Sequence, residues 1–475
     1  MSAGNTAWVL VSAALVMFMT PGLAMFYGGM VRSRSVLNIM ALTFVCLAVV
    51  SVIWVLYGYS LAFGHDGFAG LIGNLRQAGL HSLATRTVGV AGQRIPLLAF
   101  AAFQLMFAII TVALLTGAVA ERTRFWPWLL FVAAWVSLVY LPLAHWVFDT
   151  PGLTGPGAGG WMIGRLHVLD FAGGTAVEVN SGAASLALVL VLGRRRGWPR
   201  DPARPHNLPL VMLGCGILWF GWFGFNAGSA LGANGLAATA FVNTMVAGAT
   251  GMLGWLLVEQ RRDGKPTTLG AASGVVAGLV GITPACAFVE PLGALAIGLL
   301  AGVVAALAVG LKYRLGYDDS LDVVAVHGLG GVVGLLLTGL LATTAVNAHG
   351  ADGLFYGGGF GQLGRQALAV LVTIGYSGLM TLAIAAVVHK TVGLRVAPEA
   401  EWDGIDEAEH AESAYDSGLL QGHRVAALTH AMATQHSGAA GPSPAKPSPA
   451  GPSPAAPRNG AAPPAHPAPD RDLRS

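Results

Sequence analysis

The feature that bounds the fold of this chain is a succession of apolar runs, each about as long as a helix needs to cross a bilayer core, roughly 20 residues. Eleven spans can be drawn, over residues 7–29, 39–63, 97–120, 125–148, 171–192, 208–230, 235–258, 267–287, 291–311, 323–346 and 366–389. The eighth is short and rich in glycine. Charged residues make up 10% of the 475, against about a quarter in soluble domains. That balance excludes the soluble and nucleic-acid-binding classes and makes the lipid bilayer the expected solvent. The 66 glycines suit the close helix packing that small residues permit in lipid. The expected fold is an all-α polytopic membrane protein with 11 transmembrane helices.

Loop charge sets the orientation. Loops holding Arg32, Arg122, Arg195, Arg262 and Lys312 carry most of the Lys and Arg, whereas the opposite loops hold Arg76, Arg86, Arg94, Arg165 and Arg365. By the positive-inside rule the N-terminus faces out and the C-terminus lies in the cytoplasm, in a cytoplasmic (plasma) membrane protein. No Lys or Arg precedes Arg32, so the first run lacks the basic start of a secretory signal and reads as a retained span. Cys46, Cys215 and Cys286 fall in apolar segments without metal spacing, and no metal or cofactor is expected.

Two spans carry ionisable groups that a bilayer tolerates only beside a cavity or a partner. Residues 169–192, LDFAGGTAVEVNSGAASLALVLVL, open on Asp170 and place Glu178 about two turns further in. Residues 321–335, LDVVAVHGLGGVVGL, repeat the pattern with an acid at Asp322 and then His327. At a constant offset Ala176-Val177-Glu178 matches Ala325-Val326-His327, Gly182 matches Gly331 and Leu186 matches Leu335. Spans 1–5 and 6–10 therefore read as an internal repeat. An odd number of spans per half forces opposite topology, and inverted repeats place the substrate path at their interface. Span 11 is left outside the repeat. The domain division is a transmembrane domain over 1–390, a cytoplasmic segment over 391–415, and a Pro/Ala-rich tail over 416–475 with too little apolar surface to order itself.

The stretches FMTPGLAMFYGGMVRSRSVLN, FQLMFAIIT followed by GAVAER, DFAGGTAVEVN, WFGWFGFNAGSA, GLVGITPACAFV and DDSLDVVAVHGLGGVVG occur in this order. Together they resemble the ammonium transporter/methylammonium permease/Rh family, nearest to its bacterial ammonium transporters, over roughly residues 7–415. The resemblance implies a homotrimer with one narrow pore per subunit and ammonium and methylammonium as substrates. It also implies that Phe107 and Phe225 are stacked phenyl gates below an outer vestibule. Phe103, Gln104, Phe148, Trp222 and Ser229 would shape the recruitment site above them, with Asp170 just below the vestibule. Glu178 and His327 fall on the family's twin-histidine positions, and Thr283 would also line the path. Residues 393–415 are similar to the family's regulatory C-terminal region, with Gly404, Asp406, His410, Glu412 and Tyr415 in place. In the family that region packs beneath neighbouring subunits, near where a PII signal protein plugs the exit.

Three positions depart from the family pattern. Glu178 stands where His is usual, Phe148 where a vestibule Trp is usual, and Ala411 where a Gly is usual. A buried Glu beside a His is an acid/base pair whose protonation states depend on each other. Both Glu⁻/HisH⁺ and GluH/His are open to it.

The residues support transport on physical grounds as well. Aromatic faces and a hydroxyl suit a small cation, while aliphatic walls make passage of a bare charge costly. Deprotonating ammonium at neutral pH costs only about 3 kcal/mol, so recruitment, deprotonation and passage of neutral ammonia, with net charge transfer, is the expected mechanism. The alternatives are an ammonium sensor and an electroneutral ammonia gas channel. An enzyme is disfavoured, because Glu178 and His327 lack a nucleophile or a third metal ligand. Simpler roles exist for several of these groups. Asp170 can be a helix cap, Asp318, Asp319 and Asp322 can serve a helix dipole, and the Arg194–Arg196 run can be a topology signal alone.

Overall fold

The fold is described from a computed structural model, which covers residues 1–154, 159–200 and 204–415. The Pro/Ala-rich tail expected to be disordered lies outside the described residues.

Among the described residues, ten helices are long and apolar enough to cross a membrane. They are α1 (Ala3–Met30), α2 (Val36–Phe63), α3 (Leu97–Val119), α4 (Phe125–Phe148), α5 (Gly174–Leu192), α6 (Leu208–Gly228), α7 (Gly235–Arg262), α9 (Pro291–Leu315), α10 (Val324–Leu341) and α11 (Gly361–Thr391). The eighth expected span is the helix α8, Thr268–Ile282. With 15 residues it spans about 22 Å at 1.5 Å per residue, short of the roughly 30 Å hydrocarbon core. Pro284 stops it, since proline has no N–H and collides with the preceding turn. The chain then turns, buried, from Thr283 to Val289. Its backbone is satisfied by neighbours, as irregular backbone at membrane depth must be. The Asn243 amide donates to the carbonyls of Cys286 and Val289, and the N–H groups of Phe171 and Thr343 donate to those of Pro284 and Phe288.

Small residues set the helix contacts. α1 lies along α6 so closely that a Cβ on Gly214 or Gly221 would come within 2.4 Å of Phe26 or Met19. α5 and α10 cross even more tightly: a Cβ on Gly182 would sit 2.1 Å from the Cα of Gly328. Gly182 meets Gly328 while Glu178 meets Gly331, so the two helices run antiparallel at the crossing.

The internal correspondence extends beyond the residues matched in the sequence, and it corrects one of them. Glu178 and His327 are 149 positions apart, and this offset pairs Asp170 with Asp319, not with Asp322. Both acids cap the turn five residues ahead: Asp170 accepts from the N–H of Thr175 and Asp319 from that of Val324. Gly173 and Asp322, also equivalent, are both left-handed, with φ of 114° and 64°. Each span then opens with a π-helical turn, Gly174–Val179 and Val324–Leu329.

The expectation of an all-α chain needs one amendment. The segment between α2 and α3 forms two antiparallel ribbons, β1 (Asp66–Phe68) with β2 (Ile72–Gly73) and β3 (Thr87–Val88) with β4 (Ile95–Pro96).

On the face with the arginine-rich loops, an ion cluster ties four loops together. Arg195 is buried between Glu121 and Asp318, at 2.8 Å from each, and Arg122 reaches Asp318 at 2.8 Å. Arg32 adds a further bond to Glu121. The arginine run is thus more than a topology signal. Residues 391–415 pack on the same face, through two short helices, α12 (Pro398–Asp403) and α13 (Ile405–His410).

Candidate functional site

α3 and α6 each bring one phenyl ring to a common stack. Phe107 and Phe225 lie with centroids 4.2 Å apart and planes 22° from parallel, both fully buried. On one side of this stack Phe103 meets Phe107 edge-on at 4.9 Å, and Phe148 meets it at 6.0 Å. The Ser229 hydroxyl, half-buried, donates to the Phe225 carbonyl. Gln104 is buried, and its Oε1 has no hydrogen-bond partner among the described residues.

Trp222 lies elsewhere. One helical turn before Phe225, it lines a cavity together with Glu178 and His327, and its indole N–H donates to the Thr283 hydroxyl at 3.0 Å. The expected recruitment set is therefore divided by the stack: Trp222 lies on the side of the Glu–His pair, bonded to Thr283, a residue expected to line the path. Motif spacing reports the turn on which a side chain sits but not the side of Phe225 on which it emerges.

That cavity holds about 20 Å³, room for one or two molecules the size of water. Its walls are Met19, Leu23, Ile110, Leu114, Val177, Leu218 and Val276, broken by Glu178, His327 and Tyr27. His327 Nδ1 lies 2.7 Å from Glu178 Oε2, with both side chains almost fully buried. Glu178 Oε1 has no partner among the described residues. The π turns are the local device here, since the extra residue per turn re-aims the side chains that follow. A second cavity, of about 10 Å³, continues from His327 past Tyr27, Phe26 and Val326 toward Met30, Ser273 and Leu321. Tyr27, whose hydroxyl donates to the Leu114 carbonyl, lines both cavities and was missed by sequence reasoning. The FYGG run around it was the available signal.

Asp170 sits outside these cavities. Its carboxylate accepts the N–H groups of Gly173, Gly174 and Thr175 and the Thr175 hydroxyl. The cap geometry occupies both of its oxygens.

The residues expected to be regulatory fall on the basic face. Asp406 accepts the N–H groups of Leu37 and Asn38 at 3.0 and 2.8 Å, His410 Nε2 lies 3.2 Å from the Asn38 amide, and the Tyr415 hydroxyl lies 2.7 Å from His206 Nε2. Gly404 takes φ 131° against Arg34. Glu412 is exposed. Ala411 makes its turn despite its Cβ, in the left-handed region at φ 54°. Burial pushes the Asp406 carboxyl above the usual carboxylate range, partly offset by the N–H groups it accepts.

An all-helical membrane bundle, with a phenyl stack above a narrow apolar conduit interrupted by one acid and one histidine, defines a membrane channel or transporter for a small solute. Comparison with known proteins gives the same class and narrows it. The profile of the Ammonium Transporter Family matches residues 7–415. The chain is 58% identical over 438 residues to an ammonium transporter of Mycobacterium tuberculosis, covering 88% of this chain and 91% of the relative. Against an ammonium transporter of Bacillus subtilis it is 46% identical over 420 residues, covering 88% and 100%. Among solved structures, a Sensor Amt Protein superposes with a TM-score of 0.77 at 31% identity, over 86% of this chain and 98% of the other. Mep2 of Saccharomyces cerevisiae does so with 0.76 at 34%, over 84% and 88%. This chain belongs to the Ammonium Transporter Family.

Proposed function

We propose that this protein carries ammonium into the cell as a separated proton and ammonia, with net transfer of charge, and that it works as a homotrimer in the plasma membrane with its N-terminus outside. The observation that carries the reading is the buried Glu178–His327 contact in an apolar cavity directly beyond the Phe107–Phe225 stack.

Above the stack, Phe107 and Phe148 present ring faces and edges beside Ser229. Cation–π attraction of about 0.5–2 kcal/mol per ring favours ammonium over water. Beyond the stack the walls are aliphatic, and an unpaired charge loses far more solvation there than the walls return. Giving up a proton at neutral pH costs ammonium about 3 kcal/mol, so the neutral molecule is the form that passes. Ammonia can then exchange hydrogen bonds with Glu178 Oε1 and the His327 ring, which with Tyr27 break an otherwise oily passage. Potassium has no proton to give and stays excluded. Glu178 adds an anionic state that a second histidine lacks, which holds a proton within the conduit and biases it toward charge-coupled transport. Methylammonium is a second substrate, and the basic face with residues 391–415 is the region a PII signal protein would cover.

The test is the transient current of purified protein in liposomes after an ammonium jump, with a potassium jump as control. A saturable ammonium current with none for potassium supports the reading. Internal alkalinisation without current replaces it with a neutral ammonia channel, and neither signal moves the protein to a sensing role.

A further inference from the structure

Resting on the proton-separating mechanism above, we propose that Asp319 is the inner proton-exchange group, the carboxylate that takes the proton arriving from the Glu178–His327 pair and hands it to water on the basic face.

Three observations lead to Asp319. By internal symmetry it is the counterpart of Asp170, since each precedes its titratable pore residue by eight positions and caps the same turn. The two differ in one respect. Asp170 has both oxygens occupied by its own loop, whereas Asp319 accepts the Val324 N–H through Oδ2, with the N–H of Val323 also near its carboxylate. Its Oδ1 is buried with no partner among the described residues, in a side chain from a residue only 1% exposed. A buried carboxylate oxygen left empty is costly, and a helix cap does not require it. Finally, the second cavity is lined by His327 and by Leu321, two residues beyond Asp319 in the chain, so water-sized space adjoins the histidine and ends near the Asp319 turn, although Asp319 itself does not line it.

The surroundings suit a group that changes charge. Tyr27 on α1, between the two ends of the path, interacts electrostatically with both Asp319 and Glu178. From α9, Lys312 donates to the Asp319 backbone carbonyl at 3.1 Å while its ammonium pairs with Asp322 at 2.7 Å. Arg122, at the end of α3, and Tyr317 also lie within electrostatic reach, and Arg122 is engaged by Asp318. Lys312 and Arg122 are thus held by other acids and do not neutralise Asp319 outright. Burial and the neighbouring Asp322 charge push its carboxyl up to about 6, close enough to neutrality to gain and lose a proton during turnover.

In the transfer, an O–H bond forms at Oδ1 as the N–H or O–H bond of the preceding carrier breaks. The same O–H bond breaks when bulk water accepts the proton. No other reactant is consumed.

The experiment uses the full chain in liposomes, reading current and internal pH together after an ammonium jump. For the unaltered protein, the current is expected to fall as the internal pH is set from 8 down through about 6, because a protonated Asp319 cannot accept. A current without that inflection would overturn the proposal with no variant needed. Asp319→Asn keeps the cap acceptor and removes the titration, so the current should drop at least tenfold while ammonia entry, read as internal alkalinisation, persists. Asp319→Glu keeps a titratable group and should restore current with a displaced pH midpoint. Asp319→Asn current within twofold of the parent overturns the proposal, as does joint loss of current and alkalinisation in both variants, which marks a structural cap. A parent that alkalinises without current removes the transport mechanism itself; parent current with an unaffected Asp319→Asn removes only the role of Asp319.

Discussion

Glu178 is the residue on which selectivity turns. Glu178→Gln preserves an acceptor for His327 Nδ1 but removes the ionisable group, so ammonium current should fall at least tenfold while alkalinisation by ammonia remains. Glu178→His replaces the acid by a second imidazole and should shift the pH profile and alter discrimination against potassium. An unchanged profile together with unchanged discrimination would dismiss the role given to this carboxylate. At the stack, Phe148 meets Phe107 at 6.0 Å with a smaller ring than Trp would supply. Phe148→Trp should gain about 0.5–1 kcal/mol of cation–π attraction, lowering the half-saturating ammonium concentration roughly two- to fivefold. An unchanged or higher value would refute it. Glu178, His327 and the two stacked phenylalanines were legible in the sequence because each sits in a local run whose chemistry is odd for a bilayer. Trp222 and Asp322 were assigned to the wrong places. Which side of a helix faces a cavity depends on neighbouring helices, and the left-handed backbone at Asp322 leaves no compositional trace.

At the scale of elements, the segment 391–415 supplies helix caps that the membrane helices lack. Ser35 starts α2 without a side-chain cap bond, and Arg124 starts α4 in the same way. Asp406 fills the first vacancy through Leu37 and Asn38, and Glu409 fills the second through the N–H of Phe125. Losing a cap costs about 1 kcal/mol. Asp406→Ala should therefore loosen the segment without unfolding the spans, seen as faster hydrogen exchange at Leu37 and Asn38 with little change in thermal midpoint. Unchanged exchange at both amides would show that the cap is redundant.

The ion cluster makes a separate prediction. Burial would raise Glu121 and Asp318, but the arginines around them outweigh it and hold both below the usual carboxylate range. Depressed values in the folded state mean that the cluster's stabilisation is full above the ordinary carboxylate pKa, near 4, and is lost as pH falls toward the depressed values. The thermal midpoint of the purified protein should fall steeply below about pH 4, and Glu121→Gln should flatten that fall while lowering the midpoint at neutral pH. A midpoint equally acid-sensitive in Glu121→Gln would assign the effect to other groups. This cluster could not be read from the sequence, because Arg195 is 74 residues from Glu121 and 123 from Asp318. Only the folded loops bring them together.

For the whole molecule, the basic-face segment behaves as a clasp over the first half of the repeat, reaching α2, the loop between α3 and α4, the start of α4 and the end of α5. Arg395 donates to the carbonyls of Leu192 and Arg194 at the end of α5 and pairs with Glu401, and Glu401 also accepts the N–H of Arg196. The backbone of Leu394 and Val396 bonds to Arg124 and Arg122 after α3, while Asp406 and Glu409 hold α2 and α4. α5 carries Glu178, so the clasp ends on the helix that positions the pore acid. The repeat itself was legible at a constant offset, because two spans kept the same unusual pattern. The clasp was not, because its bonds run largely to backbone groups, which no side-chain pattern announces. Deleting the chain from Gly393 onward frees these carbonyls and uncaps two helices, but leaves the glycine-packed contacts of α1 with α6 and of α5 with α10 untouched. The truncated protein should therefore still insert and fold, with ammonium current reduced severalfold and thermal stability lowered. Full current from the truncated protein would sever the clasp from transport. Loss of folding would instead place residues 393–415 among the elements that hold the bundle together.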